Sequence, residues 1–179
     1  MWSRQSPRPS APITAPRQLG LPFRHPAVLL ATWLGAGLSP LAPGSCGSLA
    51  ALPFAWVIRA LWGLPGLAIA AAIVFVAGCP AAARVAAASG LADPGFVVVD
   101  EVAGQWMVLL AVPLDPLGWI VGFVLFRLFD ILKPWPVGWA DRRVKGGFGI
   151  MLDDLLAAGY AVVVFLALAA ISGVFGVHG

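Results

Sequence analysis

Two acidic doublets, Asp100-Glu101 and Asp153-Asp154, together with Asp130 and Asp141, make up six of the eight acids in this 179-residue chain. Around them the sequence is 60% hydrophobic, with a mean hydropathy of +0.93. An ionised carboxylate in or against hydrocarbon is costly unless it pairs, faces a wet cavity or binds a cation. The positive charges are as concentrated: Arg127, Lys133, Arg142, Arg143 and Lys145 are five of the eleven cations and fall within nineteen residues. Carboxylates suit a hard metal ion, and guanidinium and ammonium groups suit an anion. At a membrane edge the combination points to chemistry on a phosphorylated lipid.

Each motif also admits a plainer reading. Asp100 follows Val97-Val98-Val99 and precedes an apolar helix, which suits an N-cap. Asp153-Asp154 precedes another apolar helix and admits the same explanation, although a cap needs only one carboxylate. Two doublets at two helix starts on one membrane face favour a hard cation such as Mg²⁺, which takes oxygen ligands and leaves positions for water and substrate phosphate. Arg127, Asp130 and Lys133 recur at i, i+3 and i+6, so a salt-bridge ladder and a phosphate grip around a metal-facing Asp130 are both open. Lys133-Pro134-Trp135-Pro136 stops that helix, and Trp135 and Trp139 suit the headgroup level. Gly44-Ser45-Cys46-Gly47-Ser48 reads as a turn into a helix whose N–H groups and Ser45 and Ser48 hydroxyls could cradle phosphate, or as a tight turn with a Ser cap. Gly146-Gly147-Phe148-Gly149 reads as a flexible loop before the second acidic doublet. Cys46 and Cys79 lack partners at metal spacing and are expected to be idle thiols.

The elements that position these residues are membrane helices. Gly63 to Ala83 and Leu155 to Val177 carry no Asp, Glu, Lys or Arg, and each is long enough to cross about 30 Å of hydrocarbon. Val102 to Leu114 and Pro116 to Phe126 are shorter uncharged runs separated by Asp115, and read as a helical hairpin with its charged ends inside the bundle. Pro26 to Ile58 is interrupted by Pro40, Pro43, Gly44 and Gly47, giving a short entering helix, a turn, and a helix from about Ser48 to Trp62. Residues 1–25 are Pro- and Arg-rich and read as a disordered basic tail, leaving 26–179 as the membrane-embedded domain. The positive-inside rule then puts the tail, Arg84 and the Arg127 to Lys145 segment in the cytoplasm, with both acidic doublets on that face. Arg59 falls near the opposite side, which requires it to snorkel or to face the bundle. A pI near 9.4 fits anionic headgroups better than nucleic acid, for which no motif is present.

In order along the chain, Gly37-Leu38-Ser39-Pro40, Pro43-Gly44-Ser45-Cys46-Gly47-Ser48-Leu49, Asp100-Glu101, Phe126-Arg127-Leu128-Phe129-Asp130, Lys133-Pro134-Trp135-Pro136, Asp141-Arg142 and Gly146 through Asp154 resemble the phosphatidylglycerophosphatase A family. The resemblance runs from about Leu34 to Gly159, with Ser45 where the family prefers Thr. It implies an all-α, multi-pass membrane bundle with short and interrupted helices and a cytoplasm-facing polar site. It implies a Mg²⁺-dependent enzyme of the bacterial inner membrane that removes the terminal phosphate of phosphatidylglycerophosphate. On that reading Asp100, Glu101, Asp153 and Asp154 hold the metal and Asp130 assists, while Arg127, Lys133, Arg142, Ser45, Gly47 and Ser48 take the substrate phosphate. Two rivals remain at this point: a phosphatase for another lipid phosphate such as phosphatidic acid, and a small transporter or channel subunit with an intramembrane ion path.

Overall fold

The computed structural model describes residues 19–172, so positions 1–18 of the expected tail lie outside the described residues. Packing begins ahead of the boundary expected at residue 25. Leu19 is buried in the core, and a side chain on Gly20 would run into the Ala88 carbonyl. The described residues form helices and no strand: α1 (Pro26–Ala31), a 3-10 turn (Ala36–Leu38), α2 (Pro43–Ser89), α3 (Val99–Ala111), α4 (Pro116–Leu132), α5 (Val137–Arg143) and α6 (Gly146–Ser172).

α2 is two arms rather than one rod. Gly63 leaves helical geometry at φ 64° and ψ −162°. On a straight helix residues 47 and 78 would stand about 46 Å apart. Yet an added Cβ would lie 2.6 Å from Val98 at Gly47 and 3.2 Å from Val99 at Gly78. The chain therefore folds back at Gly63, and Pro65 sits where a new helix accepts a proline. An outgoing helix ending near Trp62 and a return from Leu64 agree with the sequence. The start does not: Pro43 already opens the helix, after Ala42 in the left-handed region at φ 46°. Gly44 to Ser48 is thus a helical first turn and not a turn preceding a helix.

The same correction applies to α6. Gly146-Gly147-Phe148-Gly149 is its first turn: Gly146 takes a left-handed φ of 77°, while Gly147 and Gly149 are there for closeness rather than flexibility. A Cβ on Gly147 would overlap the Cys79 carbonyl, and one on Gly149 the Val144 carbonyl. Asp153 and Asp154 consequently lie well inside α6, where neither can cap it. α3 and α4 form the expected hairpin. Asp115 caps α4 by accepting from the Gly118 N–H at 2.7 Å, and α4 ends at Leu132, with Lys133 left-handed at φ 44° before Pro134.

α3 is the centre of the bundle, packed by both arms of α2, by α4 and by α6. Its Val99, Val102, Ala103, Trp106, Val108 and Leu109 are buried, and the Trp106 indole donates to the Ala51 carbonyl at 3.0 Å. Outward faces are apolar: Ile69, Ile73, Ile120, Val124, Val163 and Ile171 are exposed, while Ser48, Gln105, Asp130, Asp153 and Asp154 are buried. Apolar outside and polar inside is the pattern of a bundle solvated by lipid. α2 and α6 are each long and apolar enough to cross a membrane.

Contacts fix which ends coincide. Gly44 meets Glu101, Gly78 meets Val99, and Gly147 meets Cys79 and Ala83. The first turns of α2, α3 and α6 and the end of the returning arm therefore share one end of the bundle. At the other end Trp56 meets Trp119, ring centroids 5.0 Å apart. There Arg59 turns inward and donates to the carbonyls of Leu109, at 2.7 Å, and Val112. Those carbonyls end α3 without intrahelical partners, and a cation is stabilised at the negative pole of a helix.

Candidate active site

Asp100 and Glu101 occupy the first turn of α3, where the helix dipole favours negative charge. Neither is a cap: the N-cap residue is Val98, and no side chain bonds to the first turn. That removes the capping explanation for Asp100. Asp154 arrives from α6, and one oxygen of each of Asp100, Glu101 and Asp154 lies within 4.8 Å of the other two. Asp100 Oδ1, Glu101 Oε2 and Asp154 Oδ2 are buried without a hydrogen-bond partner. Three carboxylates converging with free oxygens in an apolar bundle repel one another unless a cation or protons compensate them. All-oxygen donors crowded together fit a hard divalent ion.

Arg127 is the cation of this cluster. Its Nη1 lies 2.9 Å from Asp130 Oδ2 and 3.7 Å from Glu101 Oε1, and donates to Ser48 Oγ at 3.4 Å. Ser48 in turn donates to the Gly44 carbonyl at 3.1 Å. Gly44 is a residue whose role the sequence does not announce. A Cβ there would overlap Glu101 Oε1 and stand 2.9 Å from Arg127 Nη2, so the carboxylate and the guanidinium rest directly on the first turn of α2.

The structure does not place Asp153 with the three converging carboxylates. Its Oδ2 is 2.7 Å from Lys133 Nζ, which also lies 2.8 Å from Asp141 Oδ1. One ammonium thus ties the end of α4 to α5 and α6. Burial alone would lower the lysine pKa; hydrogen bonds to Asp141 and Asp153 outweigh it and hold the ammonium above its ordinary value. Lys133 therefore stays charged throughout the physiological range.

The remaining sequence candidates lie at the edge of the cluster. Ser45 is half-buried one residue beyond Gly44. Gly47 faces Val98 and serves helix packing. Arg142 is exposed in the last turn of α5, where it complements the helix dipole. Cys46 donates to the Leu41 carbonyl at 3.4 Å. Sequence reasoning also passes over Gln105, fully buried one turn beyond Glu101. Its signal was available, because Gln105 is the only carboxamide side chain after Gln18.

The family model of phosphatidylglycerophosphatase A matches residues 29–169. The phosphatidylglycerophosphatase A of Escherichia coli K12 is 43% identical over 139 residues, covering 76% of this chain and 80% of the relative. That of Haemophilus influenzae is 43% identical over 145 residues, covering 80% and 89%. A Bacteroides thetaiotaomicron protein named putative phosphatidylinositol-3-phosphatase is 42% identical over 150 residues, covering 76% and 89%. No solved structure matches the chain. A membrane-type helical bundle, a buried carboxylate cluster with an adjoining arginine, and relatives that cover most of its length agree: the chain belongs to the phosphatidylglycerophosphatase A family and is a phosphatase.

Proposed function

We propose that this protein is a Mg²⁺-dependent lipid phosphatase that hydrolyses the terminal phosphomonoester of phosphatidylglycerophosphate, giving phosphatidylglycerol and inorganic phosphate. The observation that carries the metal is the convergence of Asp100, Glu101 and Asp154 with three buried, unpartnered oxygens. The substrate follows the two relatives named for it. When bound, Mg²⁺ would supply Lewis-acid polarisation of the phosphomonoester and neutralise charge developing on it. The protein groups do the rest. Asp100, Glu101 and Asp154 hold the ion. Arg127, oriented by Asp130 and Ser48, offers a guanidinium to phosphate oxygens from the α2–α4 side. The first turn of α2 adds its N–H groups and Ser45. Lys133 orders Asp153 and Asp141 at the rim, and Arg142 on α5 adds positive charge there.

On this reading the chain is a multi-pass protein of the bacterial inner membrane with the acidic end in the cytoplasm. In support, the end that carries the site also carries Arg84, Lys133, Arg142, Arg143 and Lys145, while the Gly63 and Val112 to Asp115 turns carry no Lys or Arg.

Phosphate release by detergent-solubilised protein tests the reading. Phosphatidylglycerophosphate should be cleaved, EDTA should abolish the release, and added Mg²⁺ should restore it. Phosphatidic acid and phosphatidylinositol 3-phosphate belong in the same assay, the latter because of the name borne by the Bacteroides relative. Turnover indifferent to chelation would overturn the metal, and preference for either competitor would overturn the headgroup.

A further inference from the structure

Gln105 is fully buried, and neither its Oε1 nor its Nε2 has a hydrogen-bond partner. Leaving a buried amide unsatisfied costs about 1–3 kcal/mol per group, and a methionine of the same shape would avoid that. The position is therefore expensive for folding alone. Gln105 stands four residues beyond Glu101 and so shares its face of α3. Long helical side chains lean toward the N-terminus, which directs the carboxamide back toward Glu101. That face meets the first arm of α2: Glu101 lies against Gly44, and Trp106 bonds to Ala51, which sets Ser48 between those two levels. Arg127, already bonded to Ser48, has its own buried Nε without a partner, as does Glu101 Oε2.

These atoms define a ligand by chemistry. Glu101 Oε2 and Gln105 Oε1 accept; Arg127 Nε and Gln105 Nε2 donate. An anion would meet two acceptors and a cation two donors. A water molecule can donate twice and accept twice, and buried waters typically make about three such bonds. We infer that Gln105 is a positioning residue of the phosphatase site, holding an interior water against Glu101 and Arg127 so that both groups keep the orientation the reaction needs. The inference rests on the phosphatase reading of that site.

Gln105→Met and Gln105→Asn decide it, in full-length protein purified alongside wild type. Steady-state turnover of phosphatidylglycerophosphate and thermal unfolding are measured, the latter with Mg²⁺ and again in EDTA. Q105M should lose at least tenfold in kcat with KM within about twofold, while its Tm equals or exceeds wild type in both buffers. Lost activity at undiminished stability is not what a packing defect produces. Q105N, whose shorter amide still reaches a water, should recover part of the loss. Wild-type kcat in Q105M would show the amide to be idle. A Q105M protein that fails to fold, or equal losses of kcat and Tm in both variants, would assign Gln105 to packing. Each of these overturns the inference. Inactive wild-type protein would instead strike at the phosphatase reading itself.

Discussion

Lys133 offers a direct way to separate architecture from chemistry. Replacing it with methionine keeps the length of the side chain and removes the ammonium that sits 2.7 Å from Asp153 and 2.8 Å from Asp141. Breaking a fully buried pair by deleting one partner destabilises by about 3–5 kcal/mol, because the surviving charge is left uncompensated. Here the Asp153 side chain is 8% exposed, but that of Lys133 is 31% exposed. Water that reaches the lysine end can partly solvate what remains, so roughly half that figure, about 2 kcal/mol, is expected. At about 2–4 °C per kcal/mol for a chain of this size, K133M should melt about 4–8 °C below wild type. A maleimide fluorophore that reports exposure of the half-buried Cys79 thiol gives the melting curve in detergent. K133M/D153N, which removes both charges, should regain at least half of the lost Tm and turn over phosphatidylglycerophosphate within about tenfold of wild type. If the double variant regains its Tm but stays a hundredfold or more slower, Lys133 contacts the substrate phosphate, and its assignment as a strut would be refuted.

Asp100→Asn, Glu101→Gln and Asp154→Asn should each lower turnover by about 100-fold or more, the scale of losing one positioned electrostatic group. Asp153→Asn should lower it far less, and equal losses at all four would return Asp153 to the cluster. Gly44→Ala should cost about 100-fold in kcat, because the new methyl displaces Glu101 and Arg127 by an ångström or so; unchanged kcat would mean that neither group needs its present position. Topology is open to thiol labelling in a Cys46→Ser/Cys79→Ala background: Cys at Gly95 or Lys145 should react with an impermeant reagent only once the cytoplasmic side is opened, and Cys at Leu114 from the outside. Reaction of the first two from the periplasm would invert the orientation.

Much of this was legible in the sequence, and the misreadings share one cause. Uncharged runs locate the helices, the reversal at Gly63 uses a conformation open to glycine, and the stop at Lys133-Pro134 follows from a proline with few backbone options. In sequence, Gly44 to Ser48 and Gly146 to Gly149 suggest turns because glycine is permissive. Both lie in first turns of helices: Gly44, Gly47, Gly147 and Gly149 let neighbouring groups come close, whereas Gly146 uses its left-handed freedom, and one sequence does not say which property is in use. Asp153 and Asp154 are neighbours in sequence and equal in chemistry. Only the direction each takes from α6, one toward Lys133 and the other toward Asp100 and Glu101, separates their parts. Gln105 is hidden in the sequence because a neutral amide leaves no trace in the pattern of charges.

α3 has thirteen residues, about 20 Å of helix, against about 30 Å of hydrocarbon. The helix, its far end clasped by Arg59, is thus too short for such a span, and the carboxylate cluster gathers at its near end. Beyond the carboxylates, Val108 and Leu109 of α3 are apolar and fully buried in the core. On the proposed membrane placement the site would be one-sided, drawing substrate from a single leaflet and returning the dephosphorylated lipid to that same leaflet. Supply of the opposite leaflet would then fall to whatever moves lipids across, and the rate at which the product spreads would be set outside this protein.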